Sequence, residues 1–434
     1  MPKGRKKGSK QDKYRSTEQP SSSDEDAGID MTIDNCSEIS VQSDSRSNHD
    51  EAAAESDLQE KLDEKVLELI DNLTARAAAA RVAALASLRS ALQRRYLGTL
   101  LDNQRATLAD LISRAIRKGR DGERKAAAAI APLLSLQIGE EGSEEFMAEV
   151  RPALVATCVD RSASLDTRTE CCSSLAVLCY LMEEDITEIV EIMKMYETIF
   201  SGSYLKGDGS VKVSGSVIEE GTWHAAAIDG WALLLTLLGP AHARTVLDAM
   251  APEMARLAEL MEACSLEVRL AAGSAIAIAH ERVTDDSESS TVPAYVERVL
   301  PRLTELARDS HKFRAKRDRK LQRATFRDIL KYMEEDEVPE LAVRVGPECI
   351  WCTTWASRAA YAALAGALGG GLSTLAPHVP ALRHALGLSQ ALPTAVPQQK
   401  LNKLQRHLQN SAASKARTLA RNKSRDKRTA ALAV

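Results

Sequence analysis

RKAAAAI (Arg124–Ile130), RTECCSSL (Arg168–Leu175) and RLAAGSAI (Arg269–Ile276) follow one pattern: an arginine, a run of mostly small residues, then a branched apolar side chain. Each reads as the same helix of a repeat. Arg124 and Arg168 lie 44 residues apart, and Arg269 follows 101 residues later. The first spacing falls inside the roughly 40 to 47 residue period of armadillo and HEAT units, and the second is a little over two such periods.

Outward from these stretches the pattern stays helical. Leu58, Leu62, Val66, Leu69 and Leu73 form one apolar stripe, and Val82, Leu85, Leu88 and Leu92 form the next. The chain is 44% hydrophobic but only 4% aromatic over its 434 residues. Alanine-dense runs such as Ala77–Ala80, Ala126–Ala129 and Ala225–Ala227 favour helices that pack closely on small side chains. The expected fold is therefore all-α: an armadillo/HEAT-like α-solenoid with a disordered acidic N-terminal segment and a basic C-terminal helix.

The net charge of −4 is a sum of strongly biased segments. Residues 1–15 carry seven Lys/Arg against one acid, whereas residues 16–71 carry 17 acids against three bases. The Ser/Asp/Asn-rich stretch from Ser16 to about Asp57 has too little apolar surface to offset chain entropy, which predicts disorder. Within it, SSSDED sets an acid three residues after each of Ser21, Ser22 and Ser23. That spacing suits acid-directed serine kinases, and it equally describes a merely solvating tract.

The expected organisation is a basic-then-acidic segment over 1–57, helical repeats over 58–335, a small C-terminal helical domain over 336–395 and a basic tail over 396–434. Gly202–Gly221 mixes Gly and Ser with a few β-branched residues and predicts a long loop or a short hairpin. Thr284–Thr291 reads as a second loop. Pro377, Pro380, Pro393 and Pro397 set the tail apart from the repeats.

The residues offer little chemistry for catalysis. Gly207-Asp208-Gly209 lacks the pattern and setting of a phosphate loop. Cys349 and Cys352 form one CxxC without a second ligand pair nearby and read as buried helix cysteines. Cys171, Cys172 and Cys179 read as core, and His224 and His280 as capping or packing residues. No cofactor, small-molecule substrate or metal is expected. No apolar run approaches the ~18 residues of a membrane span.

Two basic stretches stand out. HKFRAKRDRKLQR holds Lys312, Arg314, Lys316, Arg317, Arg319, Lys320 and Arg323 against Asp318. This is either a polyanion-binding patch or a solvated face partly neutralised by Glu334, Glu335, Asp336, Glu337 and Glu340. The tail carries Lys400, Lys403, Arg406, Lys415, Arg417, Arg421, Lys423, Arg425, Lys427 and Arg428 against Asp426. After Leu401, Leu404 and Leu408 it has little apolar surface to pack on a core. As a helix, residues 398–428 would span about 45 Å at ~1.5 Å per residue, slim at Ser411–Ser414, a shape that suits a narrow RNA groove. Lys423, Arg425, Lys427 and Arg428 also satisfy a nuclear-localisation pattern.

MPKGRKKG at the start, HKFRAKRDRKLQRATFRDIL in the middle and RHLQNSAASKARTLARNKSRDKR at the end resemble the interferon-related developmental regulator family. SDEDAGID (Ser23–Asp30), EDITE (Glu184–Glu188), SYLK (Ser203–Lys206) and GWALLLT (Gly230–Thr236) extend the resemblance essentially end to end. Departures fall in Gly207–Gly221 and in CIWCTTWASRAAYAALAGALGGGL (Cys349–Leu372). The resemblance implies an armadillo-like fold and a non-enzymatic regulator. It further implies a family linked both to translational repression on idle ribosomes and to transcriptional co-regulation through histone-deacetylase co-repressors. In the first role the helical body docks on the ribosome and the basic C-terminal helix, bound to ribosomal RNA, enters a tRNA or mRNA path. The expected locations are cytoplasmic and nuclear.

Overall fold

The computed structural model describes residues 61–249, 254–284, 294–308 and 315–389. It is an all-α solenoid. Helix α1 (residues 61–72) is followed by α2 (Ala78–Arg94), α3 (Gly98–Leu101), α4 (Arg105–Lys118), α5 (Asp121–Ile138), α6 (Glu140–Val159), α7 (Leu165–Met182) and α8 (Ile186–Phe200). Then come α9 (Gly215–Glu219), α10 (Gly221–Leu235), α11 (Pro240–Ala249), α12 (Met254–Leu260), α13 (Leu266–Thr284), α14 (Ala294–Arg308) and α15 (Lys316–Glu335). The chain continues through strands β1 (Leu341–Val345) and β2 (Glu348–Cys352) into α16 (Trp355–Leu368), α17 (Gly371–Leu375) and α18 (Pro380–Ala385).

The three arginine-led stretches open α5, α7 and α13, as their spacing predicts. These helices belong to an inner row α2, α5, α7, α10, α13, α15, in which each packs on the next. An outer helix backs each later member: α4 on α5, α6 on α7, α8 on α10, α12 on α13 and α14 on α15. Each helix alone leaves an apolar face open, and stacking closes these faces into one continuous core.

The arginines key the stack together, each at the fourth residue of its helix. Arg124 donates from Nε to the Ile116 carbonyl of the preceding outer helix (2.9 Å) and from Nη2 to Asp160 Oδ2 (2.6 Å) in the next repeat. Arg269 reaches back to the carbonyls of Ala263 (2.7 Å) and Cys264 (2.9 Å) and forward to Gln322 Oε1 of α15 (2.9 Å). Arg168 reaches back to the Cys158 carbonyl (3.3 Å) and lays its guanidinium 3.5 Å from the centre of the Trp223 ring. Helix ends leave carbonyls without partners, and these arginines supply the missing donors.

The same fourth position holds Arg81 in α2, His224 in α10 and Arg319 in α15. His224 accounts for the 101-residue gap between Arg168 and Arg269: the intervening repeat exists, with a shorter side chain in the slot. Its Nδ1 lies 2.7 Å from Ser203 Oγ, and Gly202 leaves room for the imidazole, since a Cβ there would meet His224 Cε1 at 2.8 Å. Burial, helped by Arg168 and Lys212, pushes the imidazole pKa down to about 4.

Of the two alternatives for Gly202–Gly221 the loop holds: between α8 and α10 the chain runs as a loop with the short helix α9. One local expectation changes. The hairpin lies at β1–β2, antiparallel from Leu341↔Cys352 to Val345↔Glu348, around a two-residue turn whose Gly346 has φ +59°. Cys349 and Cys352 are therefore strand residues, the first exposed and the second buried, instead of buried helix cysteines. Alternating β-branched residues around Gly346-Pro347 carried this signal in the sequence. Glu348 holds the hairpin by a two-oxygen pair with the Arg383 guanidinium (2.7 and 2.8 Å).

Beyond the hairpin, α16 crosses the inner row and touches α5, α7, α10 and α13, while α17 packs on α2. Trp355, Leu364, Leu368 and Leu375 are buried in the same core as the repeats. A capping box between Thr354 and Ser357 starts α16, and Glu281 Oε2 accepts the Ala356 amide (2.8 Å). Gln93 and Arg89 of α2 donate to the carbonyls of Leu368 (3.0 Å) and Ala367 (3.3 Å) at its end.

Candidate nucleic-acid interface

Helix α15 is strongly one-sided. Gln322, Phe326, Ile329 and Tyr332 recur at helical spacing and are buried against α13 and α14. Gly273 of α13 permits the close approach, because a Cβ there would meet Phe326 Cε1 at 2.7 Å. The buried amide of Gln322 takes the Arg269 guanidinium, which fixes the rotation of α15 about its axis.

That rotation turns Lys316, Arg317 and Lys320 outward, exposed, with Arg319 and Arg323 half-buried beside them. Leu321 is 50% exposed among them. Among the described residues no carboxylate forms an ion pair with any of these five cations. The acids expected to neutralise them lie at the far end of the helix, where Glu337 pairs with Lys331 (2.5 Å). Fourteen residues of helix separate Lys320 from Glu334, about 21 Å and well beyond a Debye length of ~8 Å. Among the described residues those acids form no ion pair with this half of α15.

The cations also stand at the wrong end for stability. A helix N-terminus carries partial positive charge, so each cation in the first turns costs about 0.3–1 kcal/mol relative to an acid there. Helix α15 places four there against Asp318 alone. Residues that work against the local stability of their own helix are a signature of binding chemistry.

Lys312 and Arg314 of the same patch, the ten tail cations from Lys400 to Arg428, and Ser21, Ser22 and Ser23 lie outside the described residues. Of the other candidates, the Cys171 and Cys179 thiols are buried on α7, and burial pushes Cys179 up to about 12. A thiol held protonated is inert, which agrees with a core role. His280 shares its Nδ1 with the Tyr295 hydroxyl (2.8 Å) at the seam of α13 and α14, a packing position. Among the described residues no three His, Cys, Asp or Glu side chains gather to hold a metal ion, and no helix is long and apolar enough to cross a membrane. The fourth-position slots at Arg81, His224 and Arg319 were missed by sequence reasoning. All three stand at the fourth residue of their helix, and that position can be read only once the start of each helix is known.

Residues 35–334 match the family model described as "Interferon-related developmental regulator (IFRD)", and residues 380–429 match that of the "Interferon-related protein conserved region". The chain belongs to the interferon-related developmental regulator family. Interferon-related developmental regulator 2 of Mus musculus is 36% identical over 386 residues, covering 87% of this chain and 85% of that protein. Interferon-related developmental regulator 1 of Sus scrofa is 34% identical over 410 residues (94% and 90%), and that of Homo sapiens 33% over 410 residues (94% and 89%). Membership in this family implies a regulatory role. The first family region ends within α15, and the second contains all ten tail cations. Residues 335–379, with the hairpin, α16 and α17, fall between them, and the departures noted in Cys349–Leu372 sit there.

Proposed function

We propose that this protein is a non-enzymatic regulator of gene expression, a helical scaffold that binds ribosomal RNA through basic residues and represses translation. The observation that carries the reading is the row of exposed cations Lys316, Arg317 and Lys320 at the unfavourable end of α15, without an ion-pair partner among the described residues. A phosphate backbone repays the cost of that placement, because each neutralised phosphate releases counterions. Arg317, Arg319 and Arg323 add planar donors that grip a phosphate through two hydrogen bonds. The tail, with ten cations and little apolar surface, supplies the second and larger contact.

The test is co-sedimentation with purified vacant ribosomes over a salt series. It compares the intact protein, a version ending at Ala395, and the triple reversal Lys316→Glu/Arg317→Glu/Lys320→Glu. Intact protein is expected to pellet with the ribosome in a salt-sensitive way, and truncation to abolish this. The triple reversal is expected to lower the log–log salt slope by about 2, at ~0.7 per lost contact. Intact protein that stays at the top of the gradient at every salt concentration would overturn the reading. The alternative is then a nuclear co-regulator, which recovery of histone-deacetylase complexes on the protein from nuclear extract would support.

A further inference from the structure

At the α1 end of the row a cavity of about 400 Å³ opens between the α1–α2 turn and the end of α4. Its floor is aliphatic: Leu73, Leu85, Leu111 and Ile112 line it, all buried. Its rim is cationic. Arg76 comes from the turn, and Arg114 and Lys118, four residues apart, come from one face of α4. All three are exposed. Arg76 and Lys118 have no carboxylate partner among the described residues, and Arg114 meets only the exposed Asp110 at 3.8 Å.

The one acid in the wall is silent. Glu123 is bound through both oxygens by Arg81, at 2.6 Å each, and Arg81 is tied to the carbonyls of Ala75 (2.7 Å) and Arg76 (3.1 Å). This pair forms a rigid, charge-cancelled wall and leaves the rim's positive charge unopposed inside. Lys118 sits in the last turn of α4, where the helix dipole alone favours a cation, but Arg76 on the turn has no such reason to be there.

We propose that this cavity is a docking site for an acidic peptide segment of a partner protein. One aliphatic side chain of the segment fills the floor, and flanking carboxylates engage Arg76, Arg114 and Lys118. The volume admits a leucine-sized anchor with its backbone, within the usual range for built sites. A nucleotide fits less well: unstacked bases are held on aromatic rings, and the lining is aliphatic and cationic. The site lies on different helices from the cations of α15, and its occupant is independent of ribosome binding.

The test uses the full chain and fluorescence anisotropy of a short fluorescein-labelled peptide with a central leucine flanked by Asp and Glu. Arg76→Glu/Lys118→Glu is expected to weaken binding by about tenfold or more, and so is Leu→Ser in the peptide. Ala115→Phe, which fills the rim, is expected to do the same with an unchanged melting temperature. The proposal is overturned if the parent protein does not bind the peptide, or if the two variants bind it as tightly as the parent. It is equally overturned if charge reversal matters but Leu→Ser does not, since that describes surface charge without a pocket. Binding of a single-stranded RNA oligonucleotide that is lost in the same variants, without peptide binding, would assign the rim to nucleic acid and overturn it too.

Discussion

Helices α5 and α15 occupy equivalent places in the inner row and share an arginine at the fourth residue, yet they meet opposite fates. Every residue of α5 from Ala127 to Ile138 is buried, because neighbours in both rows and α16 close around it. Helix α15 buries only Gln322, Phe326, Ile329 and Tyr332 and shows the rest. Arg124 finds a carboxylate, and its hydrogen bond holds Asp160 down to about 2, whereas Arg319 buries an Nε without a hydrogen-bond partner among the described residues. A repeat in the middle of a solenoid spends its polar groups on its neighbours. A repeat at the edge leaves them exposed.

The sharpest way to break this contrast is to loosen the end of the row. Phe326→Ala removes a ring buried against Gly273 and is expected to cost about 3–5 kcal/mol in urea unfolding. A cost below ~1 kcal/mol would mean that α15 is held by charge and not by packing. Arg124→Ala in the middle of the row is expected to cost about 2–3 kcal/mol, because it strands the Ile116 carbonyl and leaves Asp160 without its main partner. Asp160 in the parent stabilises the fold above the ordinary carboxylate pKa, and this contribution disappears as pH falls through about 2. In the variant that acid limb flattens, because only the Ser162 hydrogen bonds still hold the Asp160 carboxyl down.

His224 is a pH-sensitive member of the row. Its folded pKa of about 4 lies below the ordinary 6.5, so the unfolded chain takes up the proton first. Stability is complete above about pH 6.5 and falls as pH drops through about 4. His224→Gln, which keeps a partner for Ser203, is expected to flatten the melting temperature over that window, and an unchanged slope would place the pH dependence elsewhere. The smallest expected effect is the most discriminating. The α15 triple charge reversal should raise stability by about 1 kcal/mol, the low end for three exposed cations replaced by acids at a helix N-terminus. A loss of several kcal/mol would show that these cations serve the fold and would remove the support they give to RNA binding.

Much of this organisation is legible in the sequence because it is local. The arginine-led runs of Arg124, Arg168 and Arg269 recur at a repeat period, and the 3.6-residue spacing of Phe326 and Ile329 states which face of α15 is apolar. The cations from Lys312 to Arg323 are a matter of composition. The family resemblance likewise rests on short motifs and agrees with the match over most of the chain.

What covers each face was decided only in three dimensions. Nothing in WASRAAYAALAGAL says that α16 crosses four inner helices at once, because an alanine-rich helix packs equally well on many surfaces. The His224 slot was hidden because a buried imidazole replaces the arginine that marks the other repeats. Glu123 reads as an ordinary first-turn acid until Arg81, 42 residues earlier, cancels it and leaves a cationic rim over an aliphatic floor. Periodicity fixes the direction of a side chain relative to its own helix, since that depends on bonds a few residues long. Which partner fills the space beyond depends on contacts between distant segments, and those form only when the whole row is stacked.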